Sequence, residues 1–266
     1  MAAAVTAPPA GYLDDAADAG LLHHRAGLPY VAGVCTDVIG GERQYLIEYL
    51  DPALLAADPA LDWLAAQAGA AQPAVDVLLL RTDSATAPGA PWERHLSYLR
   101  FVGPAGPPPA AVRVHAAGPE HDTLVRDWLV EAMTESAAER RRTGDPADLR
   151  ALADTMLAQP GRRSYLAVHE GRTIGHLTLC PDRHDDVTGR RYTELTDVFV
   201  APAELRRTAI TALIAATVAA LPAGELCIGQ VAHPLSEVDP DKGGRILSVL
   251  LATGWAHDHT FWRRTP

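Results

Sequence analysis

The sequence predicts an α/β chain, with a mixed sheet of the α+β kind, arranged in two modules, and three observations carry that expectation. Short apolar runs alternate with stretches of helical period along the whole chain. A mean hydropathy of -0.01, with 48% hydrophobic and 21% charged residues over 266 positions, fits a globular chain long enough to bury a sizeable core. The segment Gly103-Pro104-Ala105-Gly106-Pro107-Pro108-Pro109, whose three successive prolines deny both helix and central strand, divides the chain into modules 1–111 and 112–266.

In the first module, residues 30–38 and 44–50 flank a Gly40-Gly41 turn and predict a hairpin. Asp58-Pro59 opens an Ala-rich helix carrying Leu61 and Leu64, because proline suits a first helical turn. The continuous apolar run 75–80 predicts a buried strand, a short helix follows, and 97–102 closes the module as a strand.

The second module begins with the alternating strand Val112-Arg113-Val114-His115. A helix near 120–135 has Leu124 and Trp128 on one face, and a second, opened by Asp145-Pro146, buries Leu149, Leu152 and Met156. Strands 165–169 and 173–179 form a hairpin about Glu170-Gly171-Arg172. After a polar loop at 182–191 come a strand at 192–200, stopped by Pro202, and one long helix at 205–221 with Leu213, Ile214, Val218 and Leu221 inward. A strand at 226–231, a helix at 242–252 ended by Gly254, and a strand at 255–263 complete the order β-α-α-β-β-β-α-β-α-β.

Composition narrows the function classes. No run approaches the roughly 18 apolar residues of a membrane span, and the N-terminal segment lacks the features of a signal peptide, so a cytoplasmic protein without membrane partners is expected. Cys35, Cys180 and Cys227 are odd in number and lack zinc-site spacing, which predicts reduced core thiols. A net charge of −10 argues against DNA as a partner. The charge is uneven: residues 1–111 hold 5 Arg against 12 acidic residues, whereas 112–266 hold 17 Arg and 1 Lys against 21. Arginine concentrated in the second module fits a site for an anionic ligand there, or simply a solvated surface.

Three strings of the second module bear on its kind. Residues 165–176 place an apolar strand before Gly171-Arg172-Thr173-Ile174-Gly175, residues 194–202 read Glu-Leu-Thr-Asp-Val-Phe-Val-Ala-Pro, and residues 251–255 read Leu-Ala-Thr-Gly-Trp. In their order and spacing they resemble the hairpin, central strand and closing motif of the GNAT superfamily of CoA-dependent acyltransferases. The resemblance implies a GNAT-like acyltransferase fold and acetyl-CoA or another acyl-CoA as co-substrate, with no metal. It implies further that the strand through Val198, Phe199 and Val200 splays from its neighbour to pair with the pantetheine arm. The next helix would then point its N-terminus at the pyrophosphate. The family's Gln/Arg-x-x-Gly-x-Gly/Ala turn falls here on Arg206, Arg207, Thr208, Ala209, Ile210 and Thr211. Arg206 fits, but Ala209 and Thr211 replace the two small positions and hinder close backbone approach, so Arg206, Arg207 and Thr208 either contact phosphate directly or are solvated at a helix start.

For the base that must deprotonate an ammonium, the resemblance offers Glu194 and Asp197. Three apart on one strand, they face opposite sides unless a bulge intervenes, and an ordinary structural ion pair is the alternative for each. His233, just past the strand 226–231, is a third candidate. The tyrosine that many members carry four residues before the terminal glycine is replaced by Leu250. His257 and His259 alternate on the last strand without a visible third metal ligand and read as surface histidines. The first module resembles the later half of a GNAT domain without a phosphate turn, as in the tandem arrangement of mycothiol synthase-like proteins and Fem-type transferases; an unrelated capping domain is the other reading.

The expected function is an N-acyltransferase acting on a small-molecule amine, and the Ala-rich, nearly Lys-free composition fits specialised metabolism. One alternative is an aminoacyl-tRNA-dependent amide-forming transferase on the same fold, for which Arg140-Arg141-Arg142 and Arg162-Arg163 would supply a basic stripe for tRNA. The other is a non-catalytic metabolite-binding module. The acceptor and the oligomeric state are not encoded in any motif.

Overall fold

A computed structural model describes residues 8, 9, 11–70, 74–83, 86–103, 106, 107, 109–139, 141, 143–235 and 239–266. Pro104, Ala105 and Pro108 of the proline segment, and Arg140 and Arg142 of the basic stripe, lie outside them.

The first half runs α1 (Tyr12–Asp18), β1 (Leu22–Arg25), β2 (Leu28–Thr36), β3 (Arg43–Leu50), α2 (Pro52–Ala57), α3 (Asp62–Gly69), β4 (Val77–Asp83) and β5 (Glu93–Phe101). The predicted hairpin is β2–β3, its turn closed by Asp37 and Glu42. The helix expected to open at Asp58-Pro59 is α3, which starts only after a turn at 58–61, and a short helix that was not expected, α2, precedes it, capped by the Asp51 carboxylate accepting from Ala53 N–H. The short helix expected before β5 is absent among the described residues.

The second half runs β6 (Arg113–Ala116), α4 (Asp122–Glu139), α5 (Pro146–Leu157), β7 (Arg163–His169), β8 (Arg172–Asp185), β9 (Arg190–Val200), α6 (Arg206–Ala219), β10 (Cys227–Ala232), α7 (Lys242–Ala252) and β11 (Trp255–Arg264). The expected polar loop at 182–191 is mostly strand: β8 and β9 continue through it to a four-residue turn. A short 3₁₀ turn, Ala203–Leu205, leads into α6, the long helix expected at 205–221.

All strands among the described residues belong to one sheet, in the order β1-β2-β3-β4-β11-β5-β10-β9-β8-β7-β6. The last strand of each half is inserted into the other: β11 pairs antiparallel with β4, and β5 with β10, while β5 and β11 pair with each other at the centre. Outward from that centre the pattern repeats. β4 is parallel to β3 and β10 to β9, and β3 and β9 are antiparallel to β2 and β8. Even a bulge recurs: Glu48 is the extra residue of β3 against Val31 and Ala32, and Thr196 that of β9 against Thr178 and Leu179. The two halves are thus related by a pseudo-twofold at the β5–β11 pair.

Three cores follow. One packs α2 and α3 on β2–β4 through Leu54, Leu64, Ile47 and Leu80. A second packs α6 and α7 on the sheet through Leu213, Leu247, Leu195 and Val200. The third packs α4 and α5 around Trp128, Leu129, Leu149 and Phe199. Because Val200 and Phe199 belong to different cores, β9 is sandwiched between α6 on one face and α4 on the other.

Candidate active site

Strand β9 pairs with β10 only where Thr193–Leu195 face Cys227–Gly229. Beyond that point β9 continues to Val200 and β10 to Ala232 without pairing to each other, so the two strands splay apart. The backbone edge of Val198, Phe199 and Val200 toward β10 is therefore open, as a segment that pairs with an amide-bearing ligand must be.

The bulge at Thr196 decides which side chains meet there. It adds one residue to β9, so Leu195, Val198 and Val200 face α6 while Glu194, Asp197 and Phe199 face α4. Glu194 and Asp197 consequently share a face, correcting the opposite faces expected from their spacing. Glu194 is engaged: its carboxylate accepts from Arg183 Nε at 2.9 Å. Asp197 is not tied to an arginine. Its Oδ2 lies 3.3 Å from Nε2 of the fully buried His176, close enough for an ion pair but without hydrogen-bond geometry, and neither atom has another partner among the described residues. The imidazole is stacked on Trp128 of α4, with ring centroids 5.7 Å apart.

The third candidate, His233, lies apart from this pair. Its ring packs against Gly243 of α7, on the other face of the sheet, and Nε2 meets Ser97 Oγ at 2.9 Å. Desolvation, with the charges of Arg94 and His257 adding to it, lowers its pKa to about 4, so it is neutral at physiological pH.

At the start of α6, Arg206 and Arg207 are exposed, Thr208 is half-buried and Ala209 is fully buried. The Arg206 N–H is given to the Ala203 carbonyl, and the Thr211 hydroxyl to the Arg207 carbonyl, so the turn offers fewer free donors than a bare helix start. Arg207, Ile210, Thr211 and Ile214 of α6 face Arg245, Ile246, Val249 and Leu250 of α7 across a groove of about 640 Å³. Leu250, where a tyrosine was looked for, lines this groove and brings no proton.

His257 and His259 need correction too. His259 is buried, stacked on Tyr98 and joined to Asp258, with its pKa lowered by desolvation. Asp185, Asp258 and His259 come close enough to suggest a metal set. Both carboxylates, however, are filled by guanidinium groups: Arg81 grips Asp185 with two bonds of 2.7 Å, and Arg190 grips Asp258 at 2.9 and 2.7 Å. Burial alone would raise Asp185, but Arg81 outweighs it and brings the pKa to about 2. Cys180 and Cys227 are buried and free, whereas Cys35 is exposed.

Residues 124–228 match the family model for the acetyltransferase (GNAT) family. This segment is a GNAT domain. No curated protein matches the chain. Among solved structures, a GCN5-related N-acetyltransferase from Kribbella flavida is similar at 14% identity and a TM-score of 0.47, covering 96% of this chain and 95% of that one. A GCN5-related N-acetyltransferase from Sphaerobacter thermophilus gives 13% and 0.49, covering 90% and 79%. A tandem GNAT protein from the clavulanic acid biosynthesis pathway gives 15% and 0.44, covering 98% and 89%.

Within the GNAT domain, then, the splay, the open edge of β9 and the start of α6 stand where the motifs placed them. What the motifs did not show is His176. It sits in an apolar strand, where a histidine carries no local signal of burial, and it meets Asp197 through the register that pairs His176 with Phe199 and Thr178 with Asp197. No helix is long and apolar enough to cross a membrane among the described residues.

Proposed function

We propose that the chain is an N-acyltransferase that moves an acyl group, acetyl in the simplest case, from acyl-CoA to a small-molecule amine. The observation that carries this reading is the splay of β9 from β10 with Asp197 aimed into the α4 side of it. Acyl-CoA supplies an acyl carbon activated as a thioester. The open edge of Val198–Val200 would hold the pantetheine amides, and Arg206 and Arg207 with Thr208 would meet the pyrophosphate by side chain. That division of labour follows from Ala209, whose buried Cβ fills the place where a glycine would let phosphate approach the backbone. The Asp197 carboxylate accepts the proton of the ammonium, and the amine attacks the thioester carbon. Glu194 is held by Arg183 and shapes the wall beside Asp197. Since His233 is neutral and Leu250 has no proton to give, the departing thiolate takes its proton from water.

The first half is a degenerate copy of the same fold in this reading. Its β3 and β4 also part after Ile47 and Leu80, but the equivalent turn begins with Asp51, a carboxylate that repels phosphate, and a helix of six residues. One donor site per chain is expected, in residues 112–266.

The test is release of free CoA thiol from acetyl-CoA over a panel of small amines, with Asp197→Asn beside the wild type. The reading predicts turnover that the variant loses by about 100-fold or more. Acyl-CoA binding without turnover on any amine would favour the non-catalytic reading to which the filled glycine position gives support.

A further inference from the structure

The buried face beneath α4 holds a chain of polar side chains that the proposed reaction does not by itself require. Arg162 donates from one guanidinium nitrogen to Asp122 at 2.7 Å and from the other to Ser164 Oγ at 2.9 Å. Ser164 Oγ lies 2.8 Å from Thr178 Oγ1, and Thr178 Oγ1 lies 3.2 Å from His176 Nδ1. His176 Nε2 then faces Asp197 Oδ2 at 3.3 Å, and Ser164, Thr178 and His176 are all buried.

One direction through the chain suits both of its ends. A guanidinium can only donate and an ionised carboxylate can only accept. Ser164 accepts from Arg162, and in the direction that serves Asp197 it passes its own hydrogen to Thr178, and Thr178 passes its hydrogen to His176 Nδ1. An imidazole that accepts at Nδ1 carries its hydrogen on Nε2, pointed at Asp197. The opposite tautomer would set a bare nitrogen lone pair against a carboxylate in a buried site, with no water to separate them. A separation of 3.3 Å suits a contact that tightens once substrate is bound.

Resting on the acyl-transfer reading, we propose that His176 is a positioning residue: an imidazole that presents Nε2–H, held by Thr178, Ser164 and Arg162, that orients the Asp197 carboxylate through Oδ2 and leaves Oδ1 for the acceptor ammonium. Trp128 holds the plane of the ring by stacking. The carboxylate is in this way aimed before the amine arrives.

The test has an arm that needs no substrate. Nitrogen-15 NMR of the imidazoles, with His176 assigned by its absence in His176→Gln, is expected to show an Nε2–H tautomer whose resonance moves in Asp197→Asn and whose tautomer preference is lost in Thr178→Val. The kinetic arm compares two substitutions. Gln places an amide N–H near the Nε2 position, whereas Asn reaches only as far as Nδ1. His176→Asn should lower kcat about tenfold or more, the size of one hydrogen bond to a charged group, with the acyl-CoA KM unchanged, and His176→Gln should recover most of it. An Nδ1–H ring, a ring blind to Asp197→Asn, or equal kcat in the Gln and Asn variants would overturn the role of His176 while leaving the acyl-transfer reading intact. Failure of acyl-CoA to bind a protein whose Nε2–H tautomer is in place would refute the acyl-transfer reading, and the role with it.

Discussion

Replacing Asp185 by Asn should loosen the clasp that ties the β8–β9 hairpin to the first half of the chain. Asp185 lies near the tip of that hairpin and takes both guanidinium nitrogens of Arg81 on β4, with Thr188 and Arg190 adding to the cluster. Both side chains of the central pair are buried, at 9% and 6% exposure, so solvent screening is weak. The magnitude follows from protonation. Burial raises the Asp185 pKa and Arg81 more than offsets it, for a net fall from 3.8 to about 2, which makes neutralising the group cost roughly 2 to 3 kcal/mol. Asn imitates the neutral acid, and a chain of this size should melt about 5 to 8 °C lower. The sign with pH is fixed by the depressed value: the contribution is complete above pH 3.8 and is lost as pH falls through 2, so wild type and variant should converge in that window. Urea unfolding at pH 7 and again near pH 2.5 measures both effects. A loss below about 0.5 kcal/mol at pH 7, or a difference that persists undiminished at low pH, would refute the argument.

Other perturbations probe the site. Gly175→Ala brings a Cβ within 2.3 Å of the Phe199 carbonyl oxygen, so it should push β9 outward, cost about 2 kcal/mol in urea unfolding and weaken acyl-CoA binding; unchanged affinity would separate β9 from the donor site. Arg207→Ala should weaken acetyl-CoA binding about tenfold in calorimetry and reduce its salt dependence, because an exposed guanidinium at the groove acts through charge. His233 has a folded pKa of about 4 against 6.5 unfolded, so the unfolded chain takes up the proton first and stability should fall by about 3 kcal/mol between pH 6.5 and 4; His233→Gln should flatten that fall, and parallel pH profiles would contradict the assignment.

How much of this was legible depends on the range of the interaction. The Gly40-Gly41 turn, Pro146 at a helix start and the apolar faces of α4 to α6 are local, and each stands close to where periodicity and cap chemistry put it. The exchange of β5 and β11 is not local. Phe101 pairs with Trp255, and no pattern within either strand encodes a partner more than 150 residues away. The tip of the β8–β9 hairpin read as a loop because its residues are charged, yet those charges are the clasp that keeps it in strand form. At the candidate site, the resemblance proposes Asp197 and Arg206 as candidates, whereas the bulge at Thr196 and the burial of His176 depend on register and on packing against Trp128. His259 was misjudged for the same reason: alternation places it on a face, but only the fold shows Tyr98 covering that face.

The central claim is that the splay between β9 and β10, with the groove between α6 and α7, binds an acyl-CoA. Calorimetric titration of the full chain with acetyl-CoA, and with desulfo-CoA as a non-reactive control, measures it directly. The account predicts saturable one-site binding of both ligands at micromolar strength, weakened for both in Arg207→Ala. Binding of neither ligand by a folded protein would contradict it.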